Sequence, residues 1–326
     1  MRILGSGCSS MYLSFYRLRE EPFRLTPDPK FLQLPEAHRD ALTRLALGIV
    51  GRKGLMLLSG PIGTGKTTIL NSLLSVLARR YPDKLLPTAL ILNPRLSRDE
   101  LLETLLFEFE VPCGFTSRPA RLAALQGLQF ATLKRGGTCL LIVDEAHLLS
   151  TDILEEIRLL MNTDSYREKL LQVILCGQPE LTQLVCDPAV RALRQRIAER
   201  TVLRALSPSE MRMYIHERLR IAGLELAVPF TSSALDKIYG YTGGVPRLIN
   251  IVCDTCLTIG SETERAEVGD DIVEEAAIRH ELEGRIPGSD DQVASGLKPS
   301  LERTAPAGPL LGDSLQAAKN AIRSEL

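Results

Sequence analysis

The sequence predicts an α/β fold, in which a parallel β-sheet is covered by helices on both faces and is followed by a small all-helical domain. Four apolar runs alternate with stretches of helical periodicity between residues 36 and 205. Each run is continuous rather than alternating, which is typical of strands buried on both faces of a parallel sheet. From about residue 207 onward the strand pattern stops and only helical patterns follow.

The predicted elements of the α/β part follow from periodicity and from the glycine, proline and capping residues that end each stretch. Ser97 and Glu100 have the spacing of a capping box at the start of one helix, and Ser150 or Thr151 begins another. In chain order we expect helix 36–50, strand 55–59, helix 67–80, strand 88–93, helix 97–109, helix 118–135, a strand within 138–147, helix 150–162 and a strand within 169–181.

The second half predicts helices alone. A capping box at Ser207 and Glu210, with Pro208 between them, begins the first, and helices at about 231–241, 245–260 and 270–282 follow. We therefore expect four parts: an N-terminal segment 1–35, an α/β nucleotide-binding domain 36–205, a helical lid domain 206–282 and a flexible tail 283–326. The tail ends in an apolar stripe that predicts a short amphipathic helix, formed by Leu311, Leu315, Ala318, Ile322 and Leu326.

Composition excludes several classes of protein. The 326 residues carry a net charge of −1, from 39 basic and 40 acidic residues, which argues against a surface that grips nucleic acid throughout. No apolar run is long enough to cross a bilayer. The seven cysteines are scattered, as in reduced cytosolic proteins, and we interpret Cys253 and Cys256 as core packing rather than as a metal site.

The stretch GPIGTGKTT, between a predicted strand and a predicted helix, fits the phosphate-binding pattern GxxxxGK[ST] at every fixed position. Glycines let backbone N–H groups turn inward around phosphates at the positive end of the following helix. We expect Lys66 to reach the β- and γ-phosphates of ATP and the Thr67 hydroxyl to bind Mg²⁺. The predicted nucleotide-binding residues are Gly60, Pro61, Ile62, Gly63, Thr64, Gly65, Lys66, Thr67 and Thr68.

A second motif supplies carboxylates. In LLIVDEAH four apolar residues lead to Asp144 and Glu145 at the end of a predicted strand. We expect Asp144 to hold Mg²⁺ and Glu145 to polarise the attacking water, so that hydrolysis follows binding. The alternative is a strand that ends in two solvated acids. We interpret His147 as a packing or water-side residue rather than as a ligand.

Three further polar residues are candidates for sensing the nucleotide. Gln178, at the end of the fourth strand, could position water beside the γ-phosphate, or its amide could only tie down the turn at Pro179. Arg196, on a helix-like stretch after the last predicted strand, could stabilise transition-state charge in a neighbouring subunit. Arg191, Arg194 and Arg200 are alternatives for that role, and a solvated basic face is another. Arg247 begins a helix of the second domain and could fold over the same phosphates.

With these residues in place, the sequence resembles the AAA+ ATPases and, among them, the ExeA/GspA family of type II secretion ATPase subunits, with relatives in pilus and exopolysaccharide gene clusters. The resemblance covers about residues 11 to 280. It rests on six segments in family order: MYLSFYRLREEPFRLTPDPKFL at 11–32, GPIGTGKTT, LLIVDEAHLLS, GQPEL, LRQRI and GGVPRLIN. It favours Met11 as the initiator.

The resemblance implies that the N-terminal segment packs near the adenine, that the protein forms a homo-oligomer, that Arg196 matches the arginine finger and that Arg247 matches the second sensor. It implies an assembly factor for secretion or envelope machinery, cytoplasmic and peripheral to the inner membrane through its partners. Full-length secretion members carry a membrane helix and a wall-binding domain that these residues do not show, so wall binding is not predicted. TnsC/TniB-type transposition ATPases share nearly the same core, so a DNA-associated ATPase is the alternative.

Overall fold

The computed structural model describes residues 8–25, 35–81, 85–112, 114, 117–162, 168–225 and 228–282. The predicted tail with its terminal helix, and residues 26–34 of the N-terminal segment, lie outside the described residues. The contacts divide the described chain into two compact units. The sheet unit comprises residues 36–62 and 66–204, and the helical unit comprises the described residues up to 35, Gly63–Gly65 and those from 205 onward.

The sheet unit contains one five-stranded sheet in which every pairing is parallel. Its strands are β1 Leu55–Ser59, β2 Thr88–Ile91, β3 Cys139–Val143, β4 Leu171–Gly177 and β5 Ile197–Val202, in the spatial order β2-β3-β4-β1-β5. The residues of β1, β3 and β4 are all buried, as their continuous apolar character predicts. The predicted fold class is confirmed.

The fifth strand corrects the sequence interpretation. Arg196 does not lie on a helix after the last strand; it directly precedes β5, which pairs with β1 alone at the edge of the sheet. The sequence of this strand, IAERTV, mixes charged and apolar residues, and only Thr201 in it is buried. An edge strand exposes one row of side chains to water, so it lacks the continuous apolar run that identifies the inner strands.

The predicted helices begin and end close to the predicted residues, and three short helices that were not predicted are present as well. In chain order they are α1 Cys8–Phe15, α2 Glu36–Val50, α3 Lys66–Arg80, α4 Arg98–Glu108, α5 Arg118–Lys134, α6 Thr151–Leu160, α7 Glu180–Leu184, α8 Arg191–Arg194, α9 Pro208–Ile221, α10 Ser232–Thr242, α11 Pro246–Glu262 and α12 Asp270–Arg279. Both predicted capping boxes form, at Ser97 and at Ser207. Ser150, rather than Thr151, caps α6, because its side chain accepts a hydrogen bond from the backbone of Ile153.

Packing against the sheet fixes which strand ends come together. Leu57, Leu141 and Leu175, from three neighbouring strands, belong to one buried core with leucines of α4, α5 and α6. Since all strands run the same way, the residues that follow β1, β3 and β4 emerge at one edge of the sheet, which we call the carboxyl edge. The phosphate-loop motif, the Asp144–Glu145 pair and Gln178 are those residues.

The helical unit has its own core, formed by α1 and by α9 to α12. Cys253 and Cys256 are fully buried in it, and burial raises the pKa of both thiols, which confirms core packing. No group of three or more histidine, cysteine or acidic residues in the described chain is arranged to hold a metal ion. Within the same residues, no helix has the length and apolar character needed to span a bilayer.

A partly buried hydrogen bond joins α1 to α11. The Tyr12 hydroxyl donates to Asp254 Oδ1 at 2.8 Å, and the tyrosine ring is 1% exposed. Burial, and then the charge of Asp254, raise the pKa of Tyr12, so the phenol keeps its proton and remains a donor. The N-terminal helix is thus part of the core of the helical unit. The domain limits and the role predicted for the N-terminal segment beside adenine stay predictions.

We expect Tyr12→Phe to lower the free energy of unfolding by about 1–3 kcal/mol, because the partly buried Asp254 carboxylate loses its donor. Urea unfolding measures the effect. Tyr241→Phe is the matched control, since the Tyr241 hydroxyl makes no hydrogen bond within the described part of the chain. Equal losses in the two variants would contradict a specific tie between α1 and α11.

Candidate active site

The loop after β1 is shaped by its glycines. Gly63 and Gly65 have φ angles of 79° and 93°, a region that L side chains rarely adopt. The Gly60 N–H donates to Gly177 O at 3.2 Å, which fixes the start of the loop against the end of β4. Thr64 is fully buried and Ile62 is 64% exposed. The loop then enters α3 directly, so the free N–H groups of a helix start lie beside it.

Lys66, the first residue of α3, folds its side chain back into this loop. Its ammonium donates to Gly60 O at 2.8 Å and to Pro61 O at 2.9 Å, and the residue is 7% exposed. Both acceptors are neutral carbonyls, so no carboxylate at these bonds neutralises the cation. An ammonium held in this way attracts an anion such as a phosphate.

Asp144 and Thr67 place two oxygen ligands side by side at the carboxyl edge. The Thr67 hydroxyl donates to Asp144 Oδ2 at 3.4 Å, and the Glu145 N–H donates to Asp144 Oδ1 at 2.8 Å. Asp144 is 7% exposed. A hydroxyl beside a carboxylate is a set of hard oxygen ligands, the kind that Mg²⁺ prefers.

Cys176 is a third neighbour of Asp144 that the sequence did not identify. It lies on β4 next to the place where β3 ends, beside the Asp144 carboxylate. Burial, and then the charge of Asp144, raise the pKa of Cys176, so the thiol stays protonated and can donate. Strand register was the signal that could have identified this neighbour. Val143 pairs with Leu175, so the residues that follow them, Asp144 and Cys176, lie next to each other.

Glu145 has a strained backbone. Its φ and ψ are 51° and 33°, the left-handed region, which costs a residue with a β-carbon about 1–2 kcal/mol. The Glu145 side chain is 43% exposed, and the turn directs it toward two neighbours. Glu145 Oε2 lies 3.5 Å from the Gln178 amide nitrogen and 3.4 Å from His147 Nδ1.

Gln178 follows β4, the strand between β1 and β3, so it stands between the loop and the carboxylates. Its backbone N–H points at His147 Nδ1 from 3.4 Å, and its amide nitrogen lies 3.2 Å from His147 Nε2. The sequence interpretation of His147 missed this contact, because residues 147 and 178 are neighbours only when β3 and β4 pair.

Of the predicted arginines, Arg196 is separated from this group. Arg196 is at the amino end of β5, and the six residues of that strand span about 20 Å, so Arg196 lies at the opposite edge of the sheet from Asp144. Arg191, Arg194 and Arg200 are exposed. Arg247, in the first turn of α11, donates its backbone N–H to Gly63 O at 3.2 Å within the helical unit, and it is exposed.

Comparison with known sequences identifies the domain that contains this site. A sequence model of the AAA domain matches residues 50–185, a range that contains the phosphate loop, Asp144, Glu145 and Gln178. This chain carries an AAA domain. The AAA domain binds nucleotide, which agrees with the geometry of the loop and of Lys66.

General secretion pathway protein A from Aeromonas hydrophila is a homologue of this AAA protein. The two are 40% identical over 251 residues, which is 76% of this chain and 44% of the relative. The resemblance stated from the motifs is therefore confirmed. The chain spans less than half the length of that relative.

Solved structures show the same fold at low identity. The Aeropyrum pernix ORC2 protein has a TM-score of 0.60 at 17% identity, covering 80% of this chain and 72% of its own. The CDC6P protein from Pyrobaculum aerophilum gives 0.59 at 18% identity, covering 79% and 70%. A structure of Drosophila ORC bound to DNA gives 0.63 at 18% identity, covering 87% and 70%. At these identities the likeness concerns the fold alone.

The backbone strain at Glu145 predicts that glycine stabilises the protein more than alanine at this position, the reverse of their order inside a helix. Glu145→Gly should be more stable than Glu145→Ala by about 1 kcal/mol, because glycine adopts the left-handed conformation freely. At Glu155, inside α6, alanine should instead be more stable than glycine by about 1 kcal/mol. Chemical denaturation of the four variants measures both differences, and the same sign at both positions would contradict the strain.

Proposed function

We propose that this AAA protein binds ATP with Mg²⁺ on the loop from Gly60 to Thr68 and hydrolyses it to ADP and phosphate. The observation that carries the proposal is the meeting of four groups at one edge of the sheet. They are the Lys66 ammonium inside the glycine loop, the Thr67–Asp144 pair, the exposed Glu145 carboxylate and the Gln178 amide.

Binding would begin with the phosphates. The loop supplies backbone N–H groups at the start of α3, and Lys66 supplies a cation that can turn from the carbonyls of Gly60 and Pro61 to the β- and γ-phosphates. Exchange of two neutral acceptors for charged oxygens strengthens the hydrogen bonds of the ammonium. Removal of this cation should therefore weaken nucleotide binding itself.

Thr67 and Asp144 fit Mg²⁺ by the chemistry of their donors, a hydroxyl and a carboxylate placed side by side. When bound there, the ion would neutralise charge on the β- and γ-phosphates. The Glu145 N–H holds the Asp144 carboxylate in place from the protein side, and the Cys176 thiol lies beside it. Such support keeps a ligand oriented before the substrate arrives.

Hydrolysis would depend on Glu145. Its carboxylate is 43% exposed, so water can reach it, and it can accept a proton as the water attacks the γ-phosphate. Gln178 stands beside it and can orient that water or the phosphate through its amide. Arg247 would sense the nucleotide from the helical lid domain.

The remaining positive charge that stabilises the transition state would come from another subunit. Arg196 lies at the amino edge of its own sheet, about 20 Å from the carboxyl edge, so it cannot reach the site of the same chain. We therefore infer a homo-oligomer in which Arg196 acts on the neighbour's nucleotide as an arginine finger.

The physiological role that we propose is assembly of secretion or envelope machinery, from the cytoplasmic side of the inner membrane and through partner proteins. The support is the 40% identity to a general secretion pathway protein over three quarters of this chain. Because the match covers 44% of that protein, its partners are proposed here and not transferred.

Two substitutions separate binding from hydrolysis. Lys66→Ala should lose ATP binding, because the phosphates lose their cation. Glu145→Gln should keep ATP affinity and lose turnover by about 10²-fold or more, because the base is removed while the loop is intact. Binding of a fluorescent ATP analogue and phosphate release measure the two effects.

Lys134→Ala, at the exposed end of α5, is the matched control and should behave as the wild type in both assays. Wild-type hydrolysis by Glu145→Gln would overturn the assignment of the base. Salt-resistant, ATP-dependent filaments on duplex DNA would overturn the secretion role in favour of the DNA-associated alternative, since a near-neutral protein should lose duplex DNA at moderate salt.

A mixing experiment tests the arginine finger. Arg196→Ala and Lys66→Ala proteins should each be inactive alone, and their mixture should recover part of the ATPase rate, because an intact site then meets an intact Arg196 at some interfaces. Arg191→Ala, an exposed residue of α8, should stay active without mixing. Full activity of Arg196→Ala as a dilute monomer would contradict a finger supplied by the neighbour.

A further inference from the structure

His147 is surrounded by groups that compete for its ring. It lies in a short 3-10 helix, Ala146–Leu148, that packs against β4 and α7, and its side chain is 11% exposed. The approach to β4 is close, since a β-carbon built on Gly177 would lie 3.1 Å from His147 N and 3.3 Å from Nδ1. Glycine at position 177 thus allows the imidazole to sit against the end of the strand.

Two of the neighbours make opposite demands on Nδ1. The Gln178 backbone N–H points at Nδ1 from 3.4 Å and needs an acceptor there. Glu145 Oε2 lies 3.4 Å from the same nitrogen and needs a donor. A neutral imidazole carries one proton, so Nδ1 can serve only one of these neighbours at a time.

The first arrangement places the proton on Nδ1. Nδ1–H then faces Glu145 Oε2 at 3.4 Å, and Nε2 accepts from the Gln178 amide nitrogen at 3.2 Å. The same amide nitrogen lies 3.5 Å from Glu145 Oε2, so the carboxylate is held by two donors. Only the Gln178 backbone N–H loses its partner. This arrangement makes three side-chain contacts of 3.2, 3.4 and 3.5 Å, two of which restrain Glu145.

The second arrangement places the proton on Nε2. Nδ1 now accepts from the Gln178 backbone, and Nε2–H needs an acceptor, so the Gln178 carboxamide must turn over and present its oxygen. The amide NH₂ then points away from His147, and both donors have left Glu145. This arrangement frees the carboxylate and makes an amide donor available to an oxygen of a bound phosphate.

We propose that His147 is a positioning residue whose ring tautomer links the orientation of the Gln178 carboxamide to the freedom of the Glu145 carboxylate. Without nucleotide the Nδ1–H form restrains Glu145. An anion that draws the Gln178 NH₂ group away favours the Nε2–H form and releases Glu145. The hydrogen-bond linkage stands on the three side chains alone, and its effect on turnover rests on the proposed ATPase function.

Nitrogen NMR of the full chain labelled at its four histidines tests the linkage without any hydrolysis. At about pH 8, where an ordinary imidazole is neutral, nucleotide-free protein should show His147 with its proton on Nδ1. His147→Gln identifies the signal by removing it. Glu145→Ala should move the proton to Nε2, because Nδ1 is then free to accept from the Gln178 backbone.

Glu155→Ala, in α6, is the control and should leave the tautomer of His147 unchanged. Two results overturn the proposal: a proton on Nε2 in the wild-type protein without nucleotide, or the same tautomer in the wild type and in Glu145→Ala. Neither result depends on ATP. Loss of the linkage and loss of the ATPase function are therefore distinguished.

A double-mutant cycle tests the catalytic consequence. His147→Ala and Gln178→Ala should each lower kcat roughly tenfold, about the worth of one net hydrogen bond, with KM for ATP little changed. If the two residues act as one unit, the double variant should be no slower than the single ones. A loss of about 100-fold in the double variant, as for independent sites, overturns the linkage.

Two conservative variants exclude a purely structural role. In His147→Asn the side-chain oxygen can take the place of Nδ1 and accept from the Gln178 backbone. In His147→Gln the longer side chain can reach the position of Nε2. The proposal predicts that glutamine restores more of the kcat than asparagine, since only glutamine meets the Gln178 carboxamide. Equal rescue by asparagine would show that His147 merely satisfies the backbone N–H.

Discussion

The parallel pairing of β4 between β1 and β3 is the constraint on which the site depends. It brings the end of the loop strand, the Asp144–Glu145 pair and Gln178 to one edge, although these residues are separated by long stretches of chain. The pairing is stabilised by complete burial of all three strands under leucine-rich helices. A ligand at this edge therefore meets polar groups that directly follow fully buried strands.

The polar groups at that edge are held by one another. Lys66 is kept in the loop by two carbonyls, and Asp144 by a hydroxyl and an N–H group. Glu145 differs, because its left-handed backbone leaves the carboxylate partly exposed. Rigid binding groups beside one less restrained carboxylate form an arrangement that can bind first and react afterwards.

The comparisons and the geometry support different parts of the account. The sequence comparisons show an AAA domain and 40% identity to a general secretion pathway protein, and low-identity structures of ORC and CDC6 proteins agree with the fold. The roles of single residues rest on distances inside this chain. His147 illustrates the difference, since no motif assigned it a role and its contacts with Glu145 and Gln178 suggest one.

Local sequence patterns determined much of this protein's secondary structure and many of its candidate site residues. Continuous apolar runs predicted four of the five strands, capping residues predicted helix starts such as Ser97 and Ser207, and motif spacing predicted the loop and the acidic pair. Tertiary structure alone decided β5, whose mixed sequence becomes a strand only by pairing with β1. It also decided the contacts of Cys176 with Asp144 and of His147 with Gln178. These contacts depend on the register between β3 and β4, and register is a property of two paired strands that neither one carries in its own sequence.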